Sequence, residues 1–277
     1  MLKLAVIGKD VSASLSPKIH PFILESMGEE CVYDAVSIPP EAFSLQAESL
    51  FEQYDGFNVT IPYKGDIIPL LRELRGDSKT FGAVNTVKSR ARAGYNTDGF
   101  GFLLMLENAG VEVKGKSVLV FGAGGAGRSC IKKLMEAGAK VFVFEANSAR
   151  LKEVYREFGG FTPLERVPVR AFDIILNCTG VGMHNTVGQT PCVAYEDGSI
   201  SPVGEELLSL CDTAVDLIYV PAQSQFLKIA ADLGKKTVNG ESMLFYQAYM
   251  ADCIYLDRAP SSAEAGRLFK EYKEKNV

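Results

Sequence analysis

Short apolar runs alternate with longer amphipathic stretches along most of the chain. The apolar runs, many of them rich in β-branched residues, predict strands at 2–7, 31–38, 57–61, 83–88, 90–95, 117–121, 140–145, 172–177 and 214–218. Apolar residues at helical spacing predict helices at 17–27, 41–54, 67–74, 100–109, 125–137, 148–158, 226–233 and 243–256. Because strands and helices alternate, we expect an α/β fold with a mostly parallel sheet.

A glycine-rich loop follows one of these strands directly. The run 117–121 is apolar on both faces, as in parallel sheets, and leads into Gly122-Ala123-Gly124-Gly125-Ala126-Gly127 and then a helix. In such a loop Gly122 permits the tight turn, Gly124 lets the backbone approach a pyrophosphate, and Gly127 allows close packing of helix on strand. The alternative is a glycine turn that serves packing alone, but the strand and helix on either side favour dinucleotide binding.

The end of the next strand bears on the choice of dinucleotide. Glu145 lies where an acidic side chain accepts hydrogen bonds from the ribose 2′-hydroxyl of NAD and repels a 2′-phosphate. Arg150 is close enough in sequence to offset that charge, so NADP stays open. The alternative for Glu145 is capping of the helix that begins near Ser148.

Composition and charge exclude several function classes. The chain has 277 residues, 47% of them hydrophobic, and a formal net charge of −5, which gives no electrostatic footprint for nucleic acid. No apolar run approaches the roughly 18 residues of a membrane helix, and the N-terminal run is too short for a signal peptide, so we expect a cytoplasmic protein. The six cysteines form no CxxC pair and there are only two histidines, so we expect no metal site.

Two polar side chains stand where strands end. Lys64 closes the run GFNVTIPYK, and Asp98 lies in Tyr95-Asn96-Thr97-Asp98-Gly99. A lysine and an aspartate at strand ends, with a dinucleotide loop downstream, predict proton transfer coupled to hydride transfer. The alternative is a structural ion pair. Ser16, directly before Pro17, is expected to cap the helix that follows it.

Taken together, these runs resemble the shikimate dehydrogenase family, which includes the quinate/shikimate dehydrogenases. The matching motifs, in chain order, are Ser14-Leu15-Ser16-Pro17 with His20, GFNVTIPYK (56–64), GAVNT (82–86), NTDGFG (96–101), GAGGAG (122–127), NCTGVGM (177–183), DLIYVP (216–221) and NGESMLFYQA (239–248). They span nearly the whole chain. The resemblance implies reversible reduction of 3-dehydroshikimate to shikimate with a nicotinamide cofactor.

The resemblance also assigns residues to roles. Lys64 matches the catalytic lysine of the family and Asp98 its partner. The substrate-binding positions that it implies are Ser14, Ser16, Thr60, Asn85, Asp98, Tyr219 and Gln247. The expected cofactor-binding residues are Gly122, Ala123, Gly124, Gly125, Ala126, Glu145, Asn147, Arg150, Thr179, Leu217, Gly240 and Met243.

Departures from the family pattern concern the cofactor and the substrate. Members that use NADP often have Asn-Arg-Thr where this chain has Glu145-Ala146-Asn147, which favours NAD, although Arg150 matches a second basic position of that motif. The family often has histidine at Ala13 and asparagine at Pro21. The serine pair Ser14 and Ser16 favours shikimate over the bulkier quinate.

The expected architecture is two α/β domains with the active site in the cleft between them. Residues 1–100 with 241–277 are predicted to form the substrate domain, and 101–240 a Rossmann-type dinucleotide domain. The loop at 186–209 is a candidate lid, and His184 before it is expected at the surface or the cofactor side. A quinate/shikimate or aminoshikimate dehydrogenase remains an alternative, as does a catalytically silent ligand sensor. A monomer or a homodimer is expected.

Overall fold

The computed structural model describes residues 1–183, 192–194 and 199–275. Within it the chain divides into two compact units, Met1–Gly101 with Leu244–Val277 and Phe102–Met243. Of the candidate lid at 186–209, residues 186–191 and 195–198 lie outside the described residues, as does His184. The described part is not all loop, because it includes two short strands and the helix Glu205–Ser209.

The first unit contains a mixed sheet with helices around it. Its elements up to α4 are β1 (Leu2–Gly8), α1 (Ser16–Ser26), β2 (Cys31–Ser37), α2 (Pro40–Gln53), β3 (Gly56–Val59), β4 (Glu73–Leu74), α3 (Asp77–Phe81), β5 (Thr86–Lys88), β6 (Ala93–Tyr95) and α4 (Asp98–Asn108). The helices α9 (Glu241–Tyr255) and α10 (Ser262–Lys275) return to it near the end of the chain. The first residue of α4 and most of α9 therefore belong to the same unit as β1.

The strand order in this sheet is β2-β1-β3-β5-β6-β4. Strand β1 pairs in parallel with β2 and β3, whereas β5 is antiparallel to both β3 and β6. A core of buried residues from β1, α2, β3 and β5, among them Ile7, Phe57 and Val87, covers one face. Leu4 and Val6 pack on the other face beside Tyr33 and Tyr255. The central strands of this sheet, β3 among them, are therefore covered by packed side chains on both faces.

The second unit contains a parallel sheet. Its elements after α4 are β7 (Ser117–Phe121), α5 (Gly125–Glu136), β8 (Lys140–Phe144), α6 (Ser148–Phe158), β9 (Thr162–Leu164), β10 (Phe172–Asn177), β11 (Val193–Ala194), β12 (Ile200–Ser201), α7 (Glu205–Ser209), β13 (Cys211–Asp216), α8 (Gln225–Asp232) and β14 (Lys236–Asn239). The strand pairs of its six-stranded sheet are all parallel, whereas β11 and β12 form a separate antiparallel pair.

The strand order of the second sheet is β9-β8-β7-β10-β13-β14. Counted along the chain this is the 3-2-1-4-5-6 order of doubly wound dinucleotide-binding folds. The order reverses between β7 and β10, and ligands of such folds bind at the carboxyl ends of the strands at that point. The glycine loop follows β7, and Cys178 and Thr179 follow β10, so both loops lie at the reversal. The expected two-domain α/β fold is confirmed.

The helix predicted at 67–74 is wrong. This segment forms a 3₁₀ turn at Ile68–Leu70 and then strand β4 at Glu73–Leu74, which pairs in parallel with β6. Ile68, Leu70, Leu71 and Leu74 still pack on the core, because a tight turn followed by an extended strand buries the same apolar residues that a helix would. Pairing with β6 overrides the local pattern.

No helix in the part of the chain that the structure describes is long and apolar enough to cross a membrane.

Candidate active site

A lysine–aspartate pair lies beyond the carboxyl ends of strands β3 and β6 of the first sheet. Lys64 Nζ lies 2.7 Å from Asp98 Oδ2, and the two side chains are 26% and 11% exposed. Asp98 is the first residue of α4, and the backbone carbonyl of Lys64 accepts a hydrogen bond from the amide of Val84 at 2.8 Å. The side chain of the preceding residue, Tyr63, is buried and donates to the carbonyl of Ile38, which anchors this segment. The pair is therefore firmly held yet still reachable by a ligand.

Asn85 and Gln247 extend this pair into a polar cluster. Asn85 Nδ2 donates to Asp98 Oδ1 at 2.8 Å, while its Oδ1 accepts from the backbone amide of Thr97 at 2.9 Å. Gln247 Oε1, on α9, lies 3.3 Å from Thr97 Oγ1 and 3.5 Å from Asn85 Nδ2. Four residues that were predicted from separate motifs, Lys64, Asn85, Asp98 and Gln247, are thus brought together within one unit.

The serines and Thr60 lie at neighbouring strand and helix ends of the same unit. Ser16 is the first residue of α1 and its N-cap is Leu15, without a side-chain cap, so the expected capping role of Ser16 is wrong. The chain turns tightly before Pro17, and Ser14 Oγ instead accepts the amide of Ser16 at 3.2 Å. The Ser16 hydroxyl is thereby left for other partners. Thr60 follows β3, with its amide bonded to the Ile7 carbonyl at 2.9 Å.

The chemistry of this cluster is that of acid–base catalysis beside a polar ligand. An ammonium group donates up to three hydrogen bonds, and a carboxylate accepts them, so Lys64 and Asp98 can hold and move a proton at a ligand hydroxyl. Asn85 and Gln247 add amide donors and acceptors that can orient further hydroxyls.

The glycine loop of the second unit has the backbone features expected of a phosphate cradle. Gly122 has a φ of +90°, which residues other than glycine rarely adopt. A Cβ at Gly127 would lie 2.3 Å from the Gly122 carbonyl oxygen, so helix α5 packs directly on the turn. Gly124 is the N-cap of α5 and has open space where a side chain would stand. Gly125 and Ala126 begin α5, where the first amides of a helix can face an anion, whereas the amide of Ala123 is bonded to Glu145.

The carboxylate of Glu145 holds this loop. Its Oε2 accepts the amide of Ala123 at 2.9 Å and its Oε1 accepts the amide of Asn147 at 2.9 Å. The side chain is only 8% exposed, and Arg150 Nη1 lies 3.5 Å from Oε2. Asn147, not Glu145, caps helix α6, by accepting the amide of Arg150 at 3.0 Å. Glu145 is therefore already engaged with backbone amides, and its expected role at a ribose hydroxyl stays a prediction.

A cavity of about 220 Å³ lies over these residues. It is lined by Gly122, Gly124, Phe144, Glu145, Ala146, Arg150, Cys178, Thr179 and Gly180. Its walls are the loops that follow β7, β8 and β10, at the reversal of strand order. The geometry and the open amides fit the pyrophosphate and ribose of a dinucleotide.

A buried polar network shapes the loops after β10 and β13. Asn177 Nδ2 donates to Asp216 Oδ1 at 3.0 Å, and Asn177 Oδ1 accepts the Thr179 hydroxyl at 2.6 Å. Asp216 also accepts the amide of Ile218 at 3.0 Å and the hydroxyl of Ser224 at 2.5 Å. Burial raises the pKa of Asp216 to about 6, although these hydrogen bonds lower it. Thr179 is thus held in place from beneath.

The remaining predicted residues follow the last strands of this sheet. Leu217 directly follows β13, and a Cβ at Gly240 would lie 2.0 Å from the Leu217 carbonyl oxygen, so no side chain fits there. Met243 is 8% exposed and Tyr219 is 36% exposed. In the sequence, Met243 comes after the end of β14 and Tyr219 after the end of β13.

Sequence reasoning missed several polar residues that the structure places behind both sites. They are Asn58, Thr86 and Thr97 in the first unit and Asn177, Asp216 and Ser224 in the second. Asn58 lies inside the apolar strand β3, whereas Asn177 and Asp216 are the last residues of β10 and β13, and a polar residue at such a position is the signal that could have revealed them. Among the described residues, no cluster of histidine, cysteine or carboxylate side chains is arranged to hold a metal ion.

Comparison with known proteins decides the family. The model of the shikimate dehydrogenase substrate binding domain matches residues 6–87, and that of the alanine dehydrogenase/PNT C-terminal domain matches 93–172. A shikimate dehydrogenase (NADP(+)) of Caldicellulosiruptor saccharolyticus is 38% identical over 269 residues, covering 93% of both chains. The chain belongs to the shikimate dehydrogenase family. The family's Thermus thermophilus member, also named for NADP(+), is 38% identical over 94% of both chains.

Solved structures of the shikimate dehydrogenase family share the fold. A Thermus thermophilus enzyme, in complex with NADP(H) and shikimate, is 34% identical with a TM-score of 0.82, covering 98% of this chain and 100% of that one. A chorismate mutase/shikimate 5-dehydrogenase fusion protein from Clostridium acetobutylicum has a TM-score of 0.86 at 32% identity, over 99% and 98% of the two chains. The expected preference for NAD is not supported, because the two curated relatives are named for NADP(+) and the Thermus thermophilus structure holds NADP(H).

Proposed function

We propose that this chain catalyses the reversible reduction of 3-dehydroshikimate to shikimate with a nicotinamide dinucleotide. The observation that carries the proposal is the Lys64–Asp98 pair, 2.7 Å apart and partly exposed, within a cluster that also contains Asn85 and Gln247. Substrate binding is assigned to the first unit and dinucleotide binding to the second. Family membership supports the reaction class, an oxidation of a CH–OH group.

Oxidation of an alcohol removes a hydride from carbon and a proton from oxygen. The dinucleotide, when bound, accepts the hydride. In the oxidation, the uncharged amine of Lys64 accepts the proton of the substrate hydroxyl, and Asp98 Oδ2 holds the ammonium group that forms. In the reverse direction the same pair supplies the proton to the new hydroxyl, so proton and hydride balance in both directions.

The other residues of the first unit orient the ring. Ser14 and Ser16, at the start of α1, supply hydroxyl donors for the substrate carboxylate. Thr60, Asn85 and Gln247 bind the ring hydroxyls. Tyr219 belongs to the second unit, and its expected role at the substrate stays a prediction. Two serine hydroxyls leave less room for the extra hydroxyl of quinate, so shikimate is the preferred substrate.

The second unit holds the dinucleotide through the loop Gly122 to Ala126, with the pyrophosphate at the N-terminus of α5. Thr179, Leu217, Gly240 and Met243 are proposed to contact the remainder of the cofactor. We assign NADP as the working cofactor, with Arg150 and Asn147 beside its 2′-phosphate. The engagement of Glu145 by the amides of Ala123 and Asn147 supports this choice, because part of its negative charge is offset by those donors and by Arg150.

The test of the activity is the absorbance of the reduced nicotinamide, with shikimate or quinate as substrate and NADP or NAD as cofactor. The proposal predicts the highest kcat/KM for shikimate with NADP. Faster turnover of quinate would favour the quinate/shikimate alternative. No turnover in any of the four combinations would contradict the proposed activity and favour a silent sensor.

The cofactor assignment has its own test in Arg150→Ala. Loss of this guanidinium is expected to raise the KM for NADP about tenfold and leave the KM for NAD within about twofold, since only NADP carries the 2′-phosphate. Arg156→Ala, on the same helix, is the matched control. An equal rise in both constants would contradict a role at the 2′-phosphate.

A further inference from the structure

A chain of buried polar side chains runs through the first unit and ends on Asp98. Tyr33 Oη donates to Asn58 Oδ1 at 2.7 Å, and Asn58 Nδ2 donates to Thr86 Oγ1 at 3.2 Å. Thr86 Oγ1 donates to Asn85 Oδ1 at 3.0 Å, and Asn85 Nδ2 donates to Asp98 Oδ1 at 2.8 Å. Each donor therefore points in the same direction, towards the carboxylate that pairs with Lys64.

The register of the sheet builds this chain. Asn58 in β3 and Thr86 in β5 are direct partners in the antiparallel pair, so their side chains lie on one face, opposite each other. Asn58 is 6% exposed and Thr86 is fully buried. Water cannot replace a lost partner at such sites, and each broken hydrogen bond leaves a buried polar group unsatisfied.

The partners of Asn58 fix its orientation. Its Oδ1 takes the hydroxyl hydrogens of Tyr33 and, at 3.1 Å, of Tyr255, so its amide nitrogen must face Thr86 and the carbonyl of Asn85. With Asn58 turned this way, the Thr86 hydroxyl is left to donate to Asn85 Oδ1. Rotation of the Asn85 amide by half a turn would then set its oxygen against the Asp98 carboxylate, which is repulsive.

We propose that Asn58 and Thr86 are positioning residues for the reaction, which act together with the backbone amide of Thr97 to hold the Asn85 amide on Asp98 and thereby hold Asp98 against Lys64. This inference rests on the proposed function, since it concerns the geometry of the same proton-transfer pair. Both side chains are buried, and neither is assigned a contact with the substrate. Their effect is transmitted through aligned hydrogen bonds that polarise one another in a buried setting.

Tyr33, the first residue of this chain of hydrogen bonds, lies beside Ser16 of the serine pair. A hydrogen bond from Ser16 partly offsets the burial that raises the pKa of Tyr33. The Tyr33 ring also stacks on His20, with ring centres 4.4 Å apart. The hydroxyl that starts the chain is thus fixed by its own surroundings as well as by Asn58.

The test compares Thr86→Val with Thr86→Ser. Valine keeps the shape of threonine and removes the hydroxyl, whereas serine keeps the hydroxyl and removes a methyl group. We expect Thr86→Val to lower kcat with shikimate about tenfold and to leave the KM of the dinucleotide within about twofold. Thr86→Ser is expected to retain kcat within about threefold. A packing role would reverse this ranking or make the two variants alike.

Crystal structures of both variants provide a readout that does not depend on activity. The inference predicts that Asn85 Nδ2 moves out of hydrogen-bond range of Asp98 Oδ1 in Thr86→Val and stays in range in Thr86→Ser. If the wild-type protein turns over no shikimate, the proposed function fails, but an unmoved Asn85 amide in Thr86→Val would still overturn the inference on its own.

A second variant addresses the other end of the chain. Tyr33→Phe with Tyr255→Phe removes both hydroxyl donors from Asn58 Oδ1 and is used if Thr86→Val does not fold. The same loss in kcat of about tenfold is expected. Tyr54→Phe is the matched control, because its hydroxyl bonds to Asp34 at 3.0 Å, outside this chain of bonds. Unchanged kcat in the double variant overturns the inference.

Discussion

At the scale of single residues, buried polar side chains set the positions of the loops that carry the sites. Asp216 shows this most clearly. It is fully buried at the end of β13 and accepts hydrogen bonds from Asn177, Ile218 and Ser224, which tie the loop after β13 to the loop after β10. Burial raises its pKa from an ordinary 3.8 to about 6, so the folded protein favours the protonated carboxyl.

That shift predicts the pH dependence of stability. Since the folded-state pKa lies above the unfolded one, ionisation of Asp216 lowers the free energy of unfolding as pH rises from about 4 to about 6. Between pH 4.5 and 7 its share of this loss is about 2 kcal/mol. Asp216→Asn, which can keep the same partners, is expected to remove that share, as measured by urea unfolding at the two pH values.

Ionisation of Asp252 also lowers the free energy of unfolding as pH rises, and Asp216→Asn does not remove this contribution. Its carboxyl is fully buried, with Oδ1 2.6 Å from His20 Nδ1, and burial raises its pKa to about 6 although His20 lowers it. The change from pH 4.5 to 7 must therefore be smaller in Asp216→Asn than in the wild type, but not absent. Identical changes in the two proteins would contradict the account of Asp216.

At the scale of elements, the packing of α5 on the turn after β7 decides whether the phosphate cradle forms. Gly122 takes a positive φ and Gly127 lies against its carbonyl. The N-terminus of α5 can point its amides at an anion only while this contact is kept.

Gly127→Ala is therefore expected to lower stability and weaken dinucleotide binding about tenfold or more, because the new Cβ would stand 2.3 Å from the Gly122 oxygen and force the helix away. Fluorescence titration with NADPH and thermal unfolding measure the two effects. Gly125→Ala is the matched control for stability, since no other atom lies within 4 Å of a Cβ there. Equal thermal stability of the two variants would contradict the close-contact account.

Many of the helices, strands and loops that form the sites can be predicted from the sequence, but some cannot. The strand, glycine loop and helix around β7 follow from their residue types, and the Lys64 and Asp98 motifs indicate their chemistry directly. The segment 67–74 was misassigned because its apolar spacing fits either a helix or a turn with a strand. The roles of Asn58 and Thr86 depend on the β3–β5 register, and no local pattern encodes which residues of two strands face each other.

At the scale of the whole molecule, the two units differ in how the chain builds them. The second unit is one continuous segment, whereas the first needs Leu244–Val277 to join Met1–Gly101. Tyr255 from that returning segment donates to Asn58, and Gln247 reaches the Asn85 cluster. The cluster around Lys64 is therefore complete only when the end of the chain is present.

A fragment of residues 98–243 is accordingly expected to unfold cooperatively and to bind NADPH by itself. A fragment of residues 1–101 is expected to show no cooperative transition, because it lacks the segments that cover one face of its sheet. Circular dichroism melts and fluorescence titration test both expectations. A cooperative melt of the fragment 1–101 would contradict this view of the first unit.

The central claim is that Lys64 accepts the proton of the shikimate hydroxyl, or stabilises the charge left on its oxygen, during oxidation. The most direct measurement is the initial rate of NADP reduction by shikimate for the wild type, Lys64→Met and Lys88→Met. Lys88 is the matched control, since it too is a partly buried lysine paired with an aspartate, Asp257, at 2.5 Å.

The account predicts that Lys64→Met lowers kcat about 100-fold or more, while its affinity for NADPH stays within about twofold of the wild type. Lys88→Met is expected to keep kcat within about threefold. A Lys64→Met protein that turns over as fast as Lys88→Met would contradict the claim.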